Sequence, residues 1–353
     1  MAEMINNEHY SQENQGPYEY FDIKNFELEY GGKIANCRLA YSTHGTLNEA
    51  KDNVILFPHM FSGTSKSLEA YVGEGKALDP SKYFIIFPNQ IGNGVSTSPH
   101  NTDDVSISMC DFPQISIGDD VRAQHELLSQ QFGITEVALV LGWSMGAQQT
   151  YEWAVRYPEM VKRAAPIGGT AKTSDHNTVM VEGLIGALRT AINFNDGNYT
   201  SCEELDKGLC HLAVLFSAIG VSREFYAKEH WRDAGFESVE QFLVDFWKAW
   251  FRPMDPNALV TMLDKWQHAD VSKHTGGDIA AALGSIQAVV HNMPFEQDMM
   301  FTDLECREDS AMIPNCEHKP IPSTWGHFAM FGVFPQDFGY IDGQLKELLA
   351  VST

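Results

Sequence analysis

Two kinds of apolar pattern alternate along the chain. Near the start, Phe26-Glu27-Leu28-Glu29-Tyr30 and residues 34–41 alternate apolar with polar side chains around Gly31-Gly32. Period-two patterning on either side of a glycine pair predicts a β-hairpin. Further on, the apolar positions form short continuous runs at residues 53–57, 83–87, 137–141, 163–167 and 285–291. A strand that is apolar on both faces is one buried on both faces, as in a parallel sheet. Helical stretches separate these runs, so the expected architecture is α/β, a mostly parallel central sheet with helices on both faces. Residues 171–274 break the rhythm. They contain no strand-like run, follow helical periodicity and carry large rings at Phe216, Trp231, Phe246, Trp247, Trp250 and Trp266. A segment of about a hundred residues between two strands far exceeds a crossover, and it predicts a helical lid over one sheet edge. The expected organisation is therefore an arm over 1–17, loosely held, a core over 18–170 and 275–353, and a lid over 171–274.

The run at 137–141 leads directly into Gly142-Trp143-Ser144-Met145-Gly146 and then into a helical stretch that stops at Pro158. Strand, G-x-S-x-G and helix in that order form the setting of a nucleophilic serine on a strained turn. The helix N-terminus favours negative charge developing beside Ser144. The competing account is that Ser144 merely caps the helix. A nucleophile needs a base, and this strand–turn–helix arrangement orders its triad serine, acid, histidine. His327, in Trp325-Gly326-His327, follows the last predicted strand and precedes the last helix; its rival His318 sits in a charged loop. The acid is expected after the 285–291 strand, where Glu296, Asp298, Asp303 and Glu305 are available. Asp298 is preferred because it lies beyond Pro294 and is followed by apolar Met299, Met300 and Phe301. The two oxyanion donors are expected to be the N–H of Met145 and one from the loop Pro58-His59-Met60-Phe61-Ser62-Gly63-Thr64.

These segments resemble the homoserine O-acetyltransferase group of the α/β-hydrolase superfamily. The similarity covers the Pro58–Gly63 loop, the Gly142–Gly146 elbow with Glu152-Trp153-Ala154, Phe112-Pro113-Gln114-Ile115-Ser116-Ile117, and Trp325-Gly326-His327. The resemblance implies Ser144, Asp298 and His327 as the triad and the N–H groups of Phe61 and Met145 as the oxyanion hole. One departure stands out. The amino-acid transferases carry a lid arginine that clamps the substrate carboxylate, and the ungapped match here is Val244, within an aromatic stretch that includes Phe246 and Trp250. That aromatic stretch and Leu263-Asp264-Lys265-Trp266-Gln267-His268-Ala269-Asp270 are more similar to the acetyl-esterase branch, and Trp143 stands in the elbow where the transferases usually carry a small residue. The expected function is a serine carboxylic-ester hydrolase for neutral, short-acyl esters, with Trp143, Phe246 and Trp250 contacting substrate. Two alternatives remain open: an O-acyltransferase using a non-amino-acid acceptor alcohol, and a ligand-binding protein with little turnover.

Composition narrows the partners. The 353 residues carry a formal net charge of −23, which repels phosphate backbones and anionic lipid surfaces. A small neutral ester fits; nucleic acid and membrane do not, and a homodimer is allowed. Six cysteines (Cys37, Cys110, Cys202, Cys210, Cys306 and Cys316) form no C-x-x-C pair. With a polar, acidic first twenty residues, they read as reduced thiols of a cytoplasmic protein. His268 and His274 lie six apart and no zinc-type spacing occurs, so neither metal nor cofactor is expected.

Overall fold

The computed structural model describes residues 6–353. Eight strands form one sheet in the order β1-β2-β4-β3-β5-β6-β7-β8. The strands are β1 (Glu19–Glu27), β2 (Lys33–His44), β3 (Val54–Leu56), β4 (Phe84–Pro88), β5 (Leu139–Trp143), β6 (Arg163–Ile167), β7 (Val289–Asn292) and β8 (Cys316–His318). β1 and β2 are the expected antiparallel hairpin, and β2 also runs antiparallel to β4. All other pairings are parallel.

The central strands are apolar on both faces because both faces are covered. Leu139 and Leu141 of β5 join an apolar core shared with Ile55, Ile85, Phe216 and Trp247. Val140, between them, points the other way, into a core with Val54, Val121 and Trp153. That second core is backed by helices α1 (Ile117–Glu126) and α2 (Met145–Arg156). Between β6 and β7 the described chain makes helices and turns, with one antiparallel bridge between Lys172 and Asp270. The longer ones are α3 (Asp175–Arg189), α4 (Asp206–Gly220) and α5 (Pro256–Gln267). α5 starts where its sequence says it should: the Asp255 side chain accepts from Ala258 N and Pro256 occupies the first turn, where a missing N–H costs nothing. After β7 come α6 (Asp303–Met312), β8 and α7 (Pro335–Ala350).

Three expectations change. The strand read at 285–291 begins later, at Val289, because residues Ile279–Gly284 form a short helix and Ile286 and Ala288 are buried loop positions. His318 is not in a loop but ends β8, a strand of three partly exposed residues. The arm is not loose over its described part. Asn7 Nδ2 donates to Pro253 O at 3.0 Å, Asp255 N to Tyr10 Oη at 3.0 Å, and Thr64 Oγ1 to Gln15 Oε1 at 2.6 Å. Residues 1–5 lie outside the described chain.

The helical segment is also locked to the core by charge. Lys265 on α5 and Asp120 on α1 are fully buried and 2.5 Å apart. Lys265 also donates to Ile91 O at 2.7 Å, and Asp120 accepts from Ile91 N at 2.8 Å. Burial drives the Lys265 ammonium down and the Asp120 carboxyl up in pKa, while their contact opposes both shifts.

Candidate active site

β5 delivers Ser144 to the start of α2 with φ 60° and ψ −123°, a backbone conformation that non-glycine residues rarely hold. The sequence pays for this turn with two glycines. A Cβ on Gly142 would lie 2.0 Å from Gly146 O, and one on Gly146 would lie 2.2 Å from Pro58 O. Ser144 N donates to Ile167 O at 2.9 Å, and Ser144 O accepts from Ala147 N at 2.8 Å. The Ser144 side chain caps no helical N–H, which removes the N-cap account, and among the described residues its hydroxyl makes no hydrogen bond.

The expected base and acid meet. His327 Nδ1 lies 2.7 Å from Asp298 Oδ2, with both groups buried. The other carboxylate oxygen of Asp298 accepts from Met300 N at 2.8 Å and Phe301 N at 3.2 Å. The acid is thus fixed at both oxygens, and an acceptor at Nδ1 places the ring proton there and leaves Nε2 with its lone pair. Of the rival acids, Asp303 pairs with His318 at 2.8 Å, Glu305 sits in a capping box with Thr302, and Glu296 is exposed. Asp298 and Ser144 flank the same turn after β6. A Cβ on Gly168 would stand 3.5 Å from Asp298 Oδ2, and one on Gly169 2.7 Å from Ser144 O. Trp143, the residue before Ser144, has its ring centroid 5.6 Å from that of His327. No hydrogen bond joins Ser144 Oγ to His327 among the described residues; in unliganded sites such contacts are often long and close when substrate arrives.

Both expected oxyanion donors are uncommitted. Among the described residues, neither Phe61 N nor Met145 N donates to a protein acceptor, although both residues are buried. The aromatic side chains gather around Phe331, which the sequence reading did not single out. Its ring lies 5.1 Å from Trp143, 5.2 Å from Trp250 and 6.3 Å from Phe246. Trp250 Nε1 donates to Ser62 Oγ at 3.1 Å, tying the helical segment to the loop after β3. Val244, by contrast, is 42% exposed and does not belong to this wall. Arg252, close by in sequence, turns out to Asp206 at 2.7 Å. Space beside the Phe61–Thr64 loop amounts to about 10 Å³ and is bounded by Tyr10, Met254 and Leu259.

One group of metal-ligand type occurs among the described residues, His291 with Glu317 and Glu347. It lies on β7, β8 and α7, and the Lys319 ammonium spans its two carboxylates at 2.8 and 3.1 Å. All six cysteines are free thiols. No helix among the described residues is long and apolar enough to cross a membrane.

A family model described as the alpha/beta hydrolase fold matches residues 53–193. An ethyl acetate hydrolase of Pseudomonas veronii is 49% identical over 98% of this chain and 99% of its own. The chain belongs to the α/β-hydrolase family. Within that family, the solved structure of an acetylester hydrolase from Corynebacterium glutamicum matches with a TM-score of 0.97 at 50% identity, covering 99% of this chain and 100% of that one. A homoserine O-acetyltransferase of Trichormus variabilis is 30% identical over 86% of this chain and 87% of its own. The protein is thus an α/β hydrolase much nearer to these esterases than to that transferase.

Proposed function

We propose that this protein is a serine carboxylesterase that cleaves neutral short-acyl esters, acetates foremost, through an acyl-enzyme. The observation that carries the reading is the buried His327–Asp298 contact of 2.7 Å beside an uncommitted serine on a strained turn. Relatives whose names specify ethyl acetate and acetyl esters match over the whole chain, which supports the substrate class.

In this mechanism Ser144 Oγ attacks the ester carbonyl carbon and His327 Nε2 takes its proton. Asp298 holds the ring in the tautomer with its proton on Nδ1 and stabilises the imidazolium. The N–H groups of Phe61 and Met145 receive the oxyanion. Collapse of the tetrahedral species breaks the bond to the alcohol oxygen, which leaves with the proton from His327. Water, deprotonated by His327, then attacks the acyl-enzyme; acid departs and Ser144 is restored. The rings of Trp143, Trp250 and Phe331, packed together beside His327, favour a small apolar acyl group and offer no cation to a substrate carboxylate.

A panel of acetyl to octanoyl esters tests this. Turnover should be greatest for acetate and fall with chain length, and Ser144→Ala should abolish it. Undiminished turnover in Ser144→Ala would refute the reading. The transferase relative favours a second reading, in which an alcohol resolves the same acyl-enzyme. Acyl transfer that outruns hydrolysis in the presence of alcohols would establish that reading. Homoserine should be a poor acceptor, because no arginine stands on the aromatic wall.

A further inference from the structure

The oxyanion loop contains a buried histidine for which the mechanism above has no use. His59 is completely buried. Its Nε2 accepts from the backbone N–H of Gln90 at 3.2 Å and faces Asn93 Nδ2 at 3.1 Å. A backbone N–H can only donate, so Nε2 is an acceptor and the ring proton must sit on Nδ1. Nδ1 in turn lies 2.6 Å from Met60 O. The same carbonyl accepts from Gly63 N at 3.1 Å. Met60 C=O and Phe61 N–H belong to one planar trans peptide, so they point in opposite directions. Whatever grips the carbonyl sets the direction of the N–H.

We propose that His59 is a positioning residue for the oxyanion hole: its Nδ1–H holds the Met60 carbonyl and thereby aims the Phe61 N–H at the substrate oxygen. The inference rests on the ester-hydrolase reading above. His59 touches no substrate and moves no proton. Burial pushes its pKa down to about 3, so it remains a neutral, fixed donor. Its own anchors are rigid. Gln90 Nε2 donates to His59 O at 2.7 Å, and the next residue, Ile91, is clamped at both backbone groups by Asp120 and Lys265. Asn93, a member of the Gly92-Asn93-Gly94 turn, is held by Asn89 Oδ1 at 3.2 Å. That turn therefore serves to orient His59. Without this grip the Met60 carbonyl keeps only the Gly63 N–H at 3.1 Å, and the Phe61 N–H is less firmly preorganised where negative charge develops.

His59→Phe keeps a flat aromatic ring, slightly larger, and removes both nitrogens. For p-nitrophenyl acetate, kcat should fall about a hundredfold, the scale of one lost oxyanion donor, with KM little changed. Affinity for a trifluoromethyl ketone, whose hemiketal with Ser144 places an oxyanion in the hole, should fall in step with kcat/KM. Affinity for the corresponding unreactive ether should not. A folded His59→Phe enzyme with wild-type kcat would overturn the proposal, as would equal weakening of ketone and ether. Ser144→Ala measured alongside separates the two readings. An inactive Ser144→Ala with a fully active His59→Phe defeats only the positioning role, whereas an active Ser144→Ala defeats the ester mechanism itself. Should His59→Phe not fold, ¹⁵N NMR of the histidine rings in the wild-type protein decides. A neutral His59 with its proton on Nδ1 is expected; a proton on Nε2 would break the Met60 contact and overturn the proposal.

Discussion

At the scale of single residues, the site depends on which polar groups are already spoken for. Four acids follow β7 in sequence, but Glu296 is exposed, Asp303 is bound to His318 and Glu305 to the start of its own helix. Asp298 alone is held by two backbone N–H groups on one oxygen and faces the imidazole with the other. In the mechanism proposed here, Asp298→Asn should lower kcat steeply, by about 10⁴-fold, because the amide can favour the wrong ring tautomer. Asp303→Asn should leave kcat near wild type, since His318 and Arg307 lose a partner on a different edge of the sheet. Steady-state kinetics of the two variants checks both statements, and the opposite pattern would move the acid to Asp303.

At the scale of elements, the fold was readable wherever burial leaves a periodic trace. β3 to β6 are apolar on both faces, the hairpin alternates, and the elbow announces itself because only glycine fits at positions 142 and 146. β8 left no such trace: three residues, Cys316, Glu317 and His318, half exposed at a sheet edge, carry neither period. Ile286 and Ala288 misled in the other direction, since a buried loop is apolar without being a strand. The strained turn at Ser144 and the meeting of His327 with Asp298 were legible from chain order and local context. The grip of His59 on the Met60 carbonyl was not, because the partners that fix its tautomer lie about thirty residues away along the chain. Nor was the lock between α1 and α5, whose two charges are 145 residues apart in sequence. Removing one member of that lock leaves the other charge buried and unpaired. Lys265→Met should cost about 3–5 kcal/mol in urea denaturation. Asp120→Asn combined with Lys265→Met should recover part of the loss, because an asparagine oxygen can still accept from Ile91 N–H. An unchanged urea midpoint in Lys265→Met would show that the pair contributes nothing to holding the helical segment on the core.

At the scale of the whole molecule, one sheet gathers groups from four distant stretches of chain: Phe61 after β3, Ser144 after β5, Asp298 after β7 and His327 before α7. Its stability should carry a signature of the buried acid at the turn after β6. Asp309 on α6 accepts from Ala171 N at 2.9 Å, and burial, reinforced by Glu305 and Glu308, pushes its pKa up to about 7. Unfolded, the same carboxyl titrates near 4, so the native state holds this proton more tightly over that interval. Its contribution is therefore complete below about pH 4 and is lost as pH rises to about 7. Asp309→Asn should remove that slope from urea denaturation curves collected across the interval; an unaltered slope would place the carboxyl in an ordinary environment. The central claim, that Ser144 is made nucleophilic by His327 held on Asp298, is tested most directly by reaction with a fluorophosphonate followed by mass spectrometry of the intact protein and its peptides. The account predicts one adduct per chain, on Ser144, formed far more slowly in His327→Ala and in Asp298→Asn. An adduct on another residue, or undiminished labelling of Ser144 in His327→Ala, would contradict it.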